Sequence, residues 1–183
     1  QVNLTRFPLF FPEKRDFFLQ DAGIFRFGGV NVDPAPFFSR RIGISANGRP
    51  VDILAGLKLT GRVEDLNIGI IDVQVAEKDG VRAKNLAVAR LSYNVLKESS
   101  VGLIATAGDP RSNDTNYVTG VDFNFRESKL FGDKVLTGAA FIQKSFSENL
   151  EGDDYAFGAR AAYPNDVVLW SMGFSEVQEN FNP

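Results

Sequence analysis

Hydrophobic and polar positions alternate along most of this chain between Ile53 and Val177. Ala55, Leu57 and Leu59 interleave with Lys58, Thr60 and Arg62. Gly69, Ile71, Val73 and Val75 interleave with Asp72 and Gln74. Tyr117, Thr119, Val121, Phe123 and Phe125 interleave with Gly120, Asp122, Asn124 and Arg126. Tyr155, Phe157, Ala159, Ala161 and Tyr163 interleave with Gly158 and Arg160. A period of two belongs to β-strands with two chemically different faces. Eight strands are predicted, at about 53–63, 67–76, 84–95, 99–107, 117–126, 134–146, 154–163 and 167–177. One parity is apolar, with aromatics near strand ends, and the other carries charges. That is the pattern of a strand between lipid and a wet lumen.

The connections add a second signal. Glu64-Asp65-Leu66, Leu96-Lys97-Glu98 and Pro164-Asn165-Asp166 are short, whereas 77–83, 108–116 and 147–153 are longer and more polar. Short and long connections alternate, with 127–133 blurring the pattern. Outer-membrane barrels have short periplasmic turns and longer outer loops. On this reading Tyr93, Phe125 and Tyr163 fall near the periplasmic rim, and Tyr117 and Tyr155 near the outer rim. Tyr is favoured in strands generally, but its position at strand ends suits the aromatic girdles of a barrel.

Residues 1–50 read differently. Phe7-Pro8-Leu9-Phe10-Phe11-Pro12 and Phe17-Phe18-Leu19 flank the charged run Glu13-Lys14-Arg15-Asp16. Gly28-Gly29, Pro34, Pro36, Phe37-Phe38 and Arg40-Arg41 follow. Prolines and glycines at this density forbid long regular elements. So many aromatics need cover, and the expectation is an irregular lead packed in or against a barrel. Charges held beside buried rings need partners. Glu13, Arg15, Asp16, Arg40 and Arg41 are therefore predicted to form a structural clamp, with Arg40 and Arg41 as partners for Glu13 and Asp16.

Composition narrows the chemistry. The 183 residues suit one domain, and the net charge of -3 makes no electrostatic case for nucleic acid. Cysteine and histidine are both absent. That removes thiol nucleophiles, Ser-His-Asp triads and His-based metal sites, and no cofactor is implied. No run of 18 apolar residues predicts a transmembrane helix, which leaves barrel strands of about 9–11 residues open. Gln1 opens the chain without a visible signal peptide, and Asn180-Phe181-Asn182-Pro183 reads as mid-chain text. The expectation is a piece of a longer secreted protein, incomplete at both ends.

The polar parity offers Lys58, Arg62, Asp72, Arg90, Asp122, Arg126 and Arg160 as lumen-facing candidates. They are read either as a constriction selecting anionic or sugar-like solutes, or as an ion-pair network filling a narrow barrel. Glu148, Glu151, Asp153 and Asp154 cluster in one long loop but lack the ordered ligand spacing of a calcium loop, so they read as a solvated acidic loop. No metal site is assigned. Nothing around those carboxylates marks the cleft that glycoside hydrolysis needs, and no catalytic residue is assigned. Asn3-Leu4-Thr5 and Asn113-Asp114-Thr115 match the glycosylation acceptor pattern, accidental in a bacterial envelope protein. Gly28-Gly29 lacks the Lys-Ser/Thr of a phosphate loop and reads as a turn.

Several stretches carry a resemblance. The run from Gln1 to Gln20, QVNLTRFPLFFPEKRDFFLQ, resembles the opening motif of a bacterial family of outer-membrane β-barrel domains. In that family the barrel follows a domain similar to a family 9 carbohydrate-binding module. Pro36-Phe37-Phe38-Ser39-Arg40-Arg41-Ile42-Gly43 resembles its second motif, and Ile53-Leu54-Ala55-Gly56-Leu57-Lys58-Leu59-Thr60-Gly61-Arg62 its third. Gly152-Asp153-Asp154-Tyr155-Ala156 and Glu179-Asn180-Phe181-Asn182-Pro183 also fit. Gln20 departs from the family's usual Glu. The resemblance implies location in the bacterial outer membrane and a sugar-binding neighbour on the same full-length chain; the barrel domain itself has no established biochemical function.

The expected architecture is all-β: an antiparallel transmembrane β-barrel segment of about eight meandering strands (51–183) after an irregular aromatic-rich lead (1–50). The expected partners are outer-membrane lipid and carbohydrate, not nucleic acid. The expected role is carbohydrate binding or uptake at the cell surface. Two alternatives stand beside it: a membrane-anchored glycan hydrolase, and a structural anchor displaying the sugar-binding domain. A soluble β-sandwich is the structural alternative, since alternation also describes one buried face.

Overall fold

Eight strands form where the alternation predicts them. A computed structural model of the chain describes residues 13–29, 35–148 and 150–183. The motif over residues 1–12, the Asn3 acceptor and Pro34 lie outside the described residues. The strands are β1 (Ile53–Val63), β2 (Leu66–Val75), β3 (Lys84–Val95), β4 (Ser99–Ala107), β5 (Asn116–Leu130), β6 (Lys134–Ser147), β7 (Tyr155–Pro164) and β8 (Leu169–Val177). Each pairs antiparallel with the next in one sheet, ordered β1 to β8. The fold is all-β, and the sheet is not closed: β1 and β8 each have one neighbour.

The blurred turn becomes clear here. β5 runs on to Leu130 and β6 begins at Lys134, leaving a short turn at 131–133. Short turns at 64–65, 96–98, 131–133 and 165–168 therefore share one end of the sheet, and the longer connections 76–83, 108–115 and 148–154 share the other. Glu64, Leu96 and Phe131 in the short turns adopt positive φ (53°, 54° and 52°). That left-handed corner reverses the chain within two or three residues.

The lead crosses one face of the sheet, the covered face. Its only α-helix among the described residues is α1 (Asp16–Leu19), followed by 3₁₀ turns at Ala22–Phe25 and Ser39–Arg41. Phe18, Phe25 and Ile42 bury against Ile71, Val73 and Val75 of β2, Leu86 and Val88 of β3, and Ile104 of β4. Each such side chain taken out of water contributes about 1.5–3 kcal/mol. The chain also returns after β8, and Phe181 buries against Val118 and Ala156.

This packing changes which parity of β2 faces where. Directly paired residues share a face, so Lys58 opposite Ile71 and Leu57 opposite Asp72 lie on opposite faces. Lys58 touches the lead, which puts Gly69, Ile71, Val73 and Val75 on the covered face. Asp72 therefore shares the uncovered face with Leu57, away from the other six lumen candidates. The physical reason is that β2 is apolar on both parities: Ile68 and Ile70 supply one apolar face, and Ile71 and Val73 the other. The Phe-rich lead takes the second.

The uncovered face stays apolar and open. Leu57, Leu59, Leu103, Met172 and Phe174 are each more than half exposed (65%, 57%, 52%, 67% and 65%). Every charged residue on this face lies within three positions of a strand end: Asp72, Lys144 and Glu176 near the long-loop end, and Glu127, Lys129 and Lys134 near the short-turn end. Tyr93, Tyr117 and Tyr155 lie on the same face near strand ends, and Tyr163 stacks on Trp170 at 6.4 Å.

Close approach of the lead depends on missing side chains. A Cβ on Gly56 would sit 3.1 Å from the Phe17 ring, and one on Gly69 would sit 2.8 Å from Ile24 Cγ2 and Phe25 Cζ. Gly61 has nothing within 4 Å. Gly69→Ala is therefore expected to overpack the lead and lower unfolding free energy by about 1–3 kcal/mol. Gly61→Ala should stay within about 0.5 kcal/mol. Chemical denaturation of the two variants side by side measures the difference.

Candidate functional site

The covered face has two halves. Over β2 to β4 its buried residues are mostly aliphatic and the lead packs on them, with the polar Lys58, Thr60 and Arg62 of β1 at its edge. Over β5 to β7 it is polar: Asp122 and Asn124 of β5, Gln143 and Ser145 of β6, and Arg160 of β7. Asp122, Gln143 and Ser145 are fully buried.

Arg90 links the halves. It stands opposite Ile104 of β4, and Asp122 stands opposite Gly102 of β4. A Cβ on Gly102 would lie 2.4 Å from the Arg90 guanidinium nitrogens. The missing side chain lets the guanidinium lie across β4 and fork onto Asp122, Nη1 to Oδ1 at 2.6 Å and Nη2 to Oδ2 at 3.0 Å. Both side chains are almost fully buried, at 3% and 0% exposure. A buried charge pair is tolerated when its geometry is bidentate and its remaining lone pairs are met. Asn124 Nδ2 donates to Asp122 Oδ2 at 2.8 Å, and the backbone N–H of Gly28 donates to the same oxygen at 3.0 Å. Phe27 lies 5.5 Å from the Arg90 guanidinium and 6.0 Å from the Phe141 ring, over the gap left by Gly120.

The other lumen candidates are placed as follows. Lys58 Nζ donates to the carbonyls of Phe17, at 3.0 Å, and Gln20, at the C-terminus of α1. A cation there satisfies carbonyls that the helix leaves free. Beside it, Thr60 Oγ1 donates to Asp21 at 2.8 Å. Arg62 Nε donates to the carbonyl of Glu64 in its own turn, and Arg126 pairs with Glu98 at 3.2 Å. Arg160 lies exposed on the covered face, between Ala139 and Gly173 in register. The structure thus brings together Arg90 and Asp122 and leaves Lys58, Arg62, Arg126 and Arg160 at separate places on that face. Asp72 lies on the other.

In the lead, the partner of Glu13 is Arg15. Arg15 Nη2 meets Glu13 Oε2 at 2.8 Å, and the same guanidinium donates to the carbonyls of Ser39, at 2.9 Å, and Ile42, at 2.7 Å. Ser39 Oγ donates to Glu13 at 3.0 Å. Arg40 stacks over Phe38 at 4.3 Å. Arg41 reaches the carbonyl of Pro183 at 2.8 Å. Asp16 is exposed in the first turn of α1. Two segments of the lead are thus joined through Arg15, and the second segment is tied to the end of the chain through Arg41. The Arg15 hydrogen bond is the largest influence on the Glu13 carboxyl. Burial opposes it, the Arg15 backbone and Ser39 reinforce it, and the group is held at about 2.

At the long-loop end, Asp154 pairs with Lys144 at 3.3 Å, and Glu148 accepts the backbone N–H of Thr115 at 3.2 Å. No group of three or more acidic, His or Cys residues placed to hold a metal occurs among the described residues. Asn182 and Pro183 cross this end. Asn116 Nδ2 donates to the carbonyl of Asn182 at 3.1 Å, and Asn182 N–H donates to Ser145 Oγ at 3.1 Å. Asn116 and Pro183 also line a cavity of about 60 Å³ together with Phe37, Ile42, Ile71 and Val88.

Sequence reasoning missed Phe27, Gly28, Gly102, Gly120, Gln143 and the returning tail. One signal was present: Gly102 and Gly120 interrupt strands at the parity of Asp122, where a glycine marks close approach of another group. No protein-family model, curated protein or solved structure matches the chain.

Two outcomes follow. Arg90→Met leaves Asp122 buried without its counter-charge and is expected to cost about 3–5 kcal/mol, with much of it recovered in Arg90→Met/Asp122→Leu. Denaturation of the single and double variants measures both. Glu13 titrates lower in the folded chain than its ordinary value of 4.5. Its stabilising effect is therefore full above about 4.5 and is lost as pH falls toward about 2. Glu13→Gln should flatten the pH dependence of stability across that window, and Glu13→Ala should reduce folding yield.

Proposed function

We propose that these eight strands are part of the wall of a bacterial outer-membrane β-barrel that binds or admits carbohydrate at the cell surface. The uncovered face carries this reading. Large apolar side chains stand open across adjoining strands, and charges are confined to strand ends. Water is a poor solvent for so wide an apolar patch, and hydrocarbon is a good one. Tyr93, Tyr117, Tyr155 and the Tyr163–Trp170 stack lie near strand ends, which supports the reading because a barrel wall favours aromatics at its two interfaces. The open edges of β1 and β8 fit a wall that continues, since unpaired strand edges are not tolerated in lipid. No described helix is long and apolar enough to cross a membrane, so the strands carry the reading alone.

Carbohydrate enters through the resemblance of residues 1–20, 36–43 and 53–62 to a barrel family that follows a sugar-binding module. A structural anchor displaying that module is the second reading, favoured by the filled covered face. A hydrolase draws less support, because the buried acids Asp122 and Asp154 are each engaged by a cation.

Membrane fractionation of the full-length product tests the wall. Retention in the outer-membrane fraction through a urea wash, with release only by detergent, is expected. Release by urea, or recovery from the soluble periplasm, rejects it. Equilibrium binding of soluble oligosaccharides to the detergent-extracted protein then separates carbohydrate capture from a bare anchor.

A further inference from the structure

We infer that the polar half of the covered face is a solute path and that Phe27, carried on Gly28-Gly29, is the stopper over it. The inference rests on the membrane-wall reading and goes beyond it by assigning the passage and its gate.

The lead is not held uniformly. From Phe17 to Phe25 it is anchored by buried rings: Phe18 and Phe25 bury in the aliphatic half, Lys58 holds the end of α1, and Phe25 packs on Phe37 at 5.7 Å, whereas Phe27 is only half-buried. Phe27 is the first described residue to reach the polar half. Beyond it come two consecutive glycines, both at φ +75°. Their left-handed backbone favours glycine and gives the arm its bend. A Cβ on Gly29 would lie 1.9 Å from Asn124 Oδ1.

The wall beneath does not need the arm. The Arg90–Asp122 fork and the Asn124–Asp122 bond are made by strand residues only. Among the described contacts, lifting the arm removes the Gly28 N–H to Asp122 hydrogen bond, the ring contacts of Phe27 with Arg90 and Phe141, and the edge of its packing against the aliphatic cluster. The closed arm also has a cost. Arg90 Nε and Asn124 Oδ1 are buried with no hydrogen-bond partner. Unmet buried polar atoms are unfavourable, and a native structure rarely keeps them without a reason. Opening admits water to both and so offsets the lost contacts. A ring seated on the glycine gap at Gly120, over an ion pair whose fork is made by strand residues, is placed to leave as well as to stay. The uncovered surface would be lined by Arg90, Asp122, Asn124, Gln143 and Arg160. The ion pair there is internally neutral, which suits small hydrophilic solutes.

Planar-bilayer conductance of the full-length protein tests this. Phe27→Ala removes the stopper, and Gly29→Ala prevents it from seating by an independent route. Each is expected to raise conductance severalfold over wild type, with unchanged heat-modifiable migration on gels. Ile44→Ala, exposed in the lead, should match wild type. Wild-type conductance in both stopper variants would overturn the gate. A silent bilayer for every variant that still partitions into the outer membrane would overturn the path and leave the wall reading standing. Failure to partition would reject the wall reading, and the path with it.

Discussion

The interior arrangement depends on side chains that are absent. Gly56, Gly69, Gly102 and Gly120 all lie on the covered face, and each leaves room for a group that a Cβ would exclude. Phe17, Phe25 and Phe27 settle on three of these gaps, and the Arg90 guanidinium crosses the fourth. Without Gly102, Arg90 has no route to Asp122, and the ion pair joining β3 to β5 is lost. Without Gly69 or Gly56, the aromatic lead stands away from the sheet and the aliphatic residues of β2 and β3 meet water. Packing is close enough in protein interiors that one methyl group decides such questions.

Strand number and order were legible because period-two alternation is a local property, repeated eight times and punctuated by turn residues; the length of β5, which runs four residues past its expected end, was not. The face of β2 was not. Ile68, Ile70, Ile71 and Val73 leave both parities apolar, so alternation alone cannot say which side meets the lead. That decision is tertiary, made by Phe18, Phe25 and Ile42 from far along the chain. The same limit explains Asp72, whose charge made it resemble Lys58 although a one-residue offset puts it on the other face.

The charged lead shows the reverse case. Its need for internal partners could be read from charges set among Phe residues, but not the pairing. Arg15 satisfies Glu13 two residues away and spends its remaining donors on the carbonyls of Ser39 and Ile42. A planar fork of five donors reaches several acceptors at once. Likewise, the Arg90–Asp122 pair was visible as two polar-parity residues, but the empty space that lets them meet is written in glycines between them.

Contacts between the lead and the rest join residues far apart in the sequence: 94 positions separate Gly28 from Asp122, and 142 separate Arg41 from Pro183. The strands, by contrast, pair only with their sequence neighbours. Chain closure over long distances is slow compared with hairpin formation. The lead is synthesised before the strands, and its contacts at Gly28 and Arg41 cannot form until β5 and Pro183 have been made. During that interval Phe27 lacks the Phe141 ring and the paired Arg90 that it later meets. Solubility before docking, rather than stability after it, is where this arrangement is most demanding, because the Phe rings of the lead stay open to water until their strands are in place.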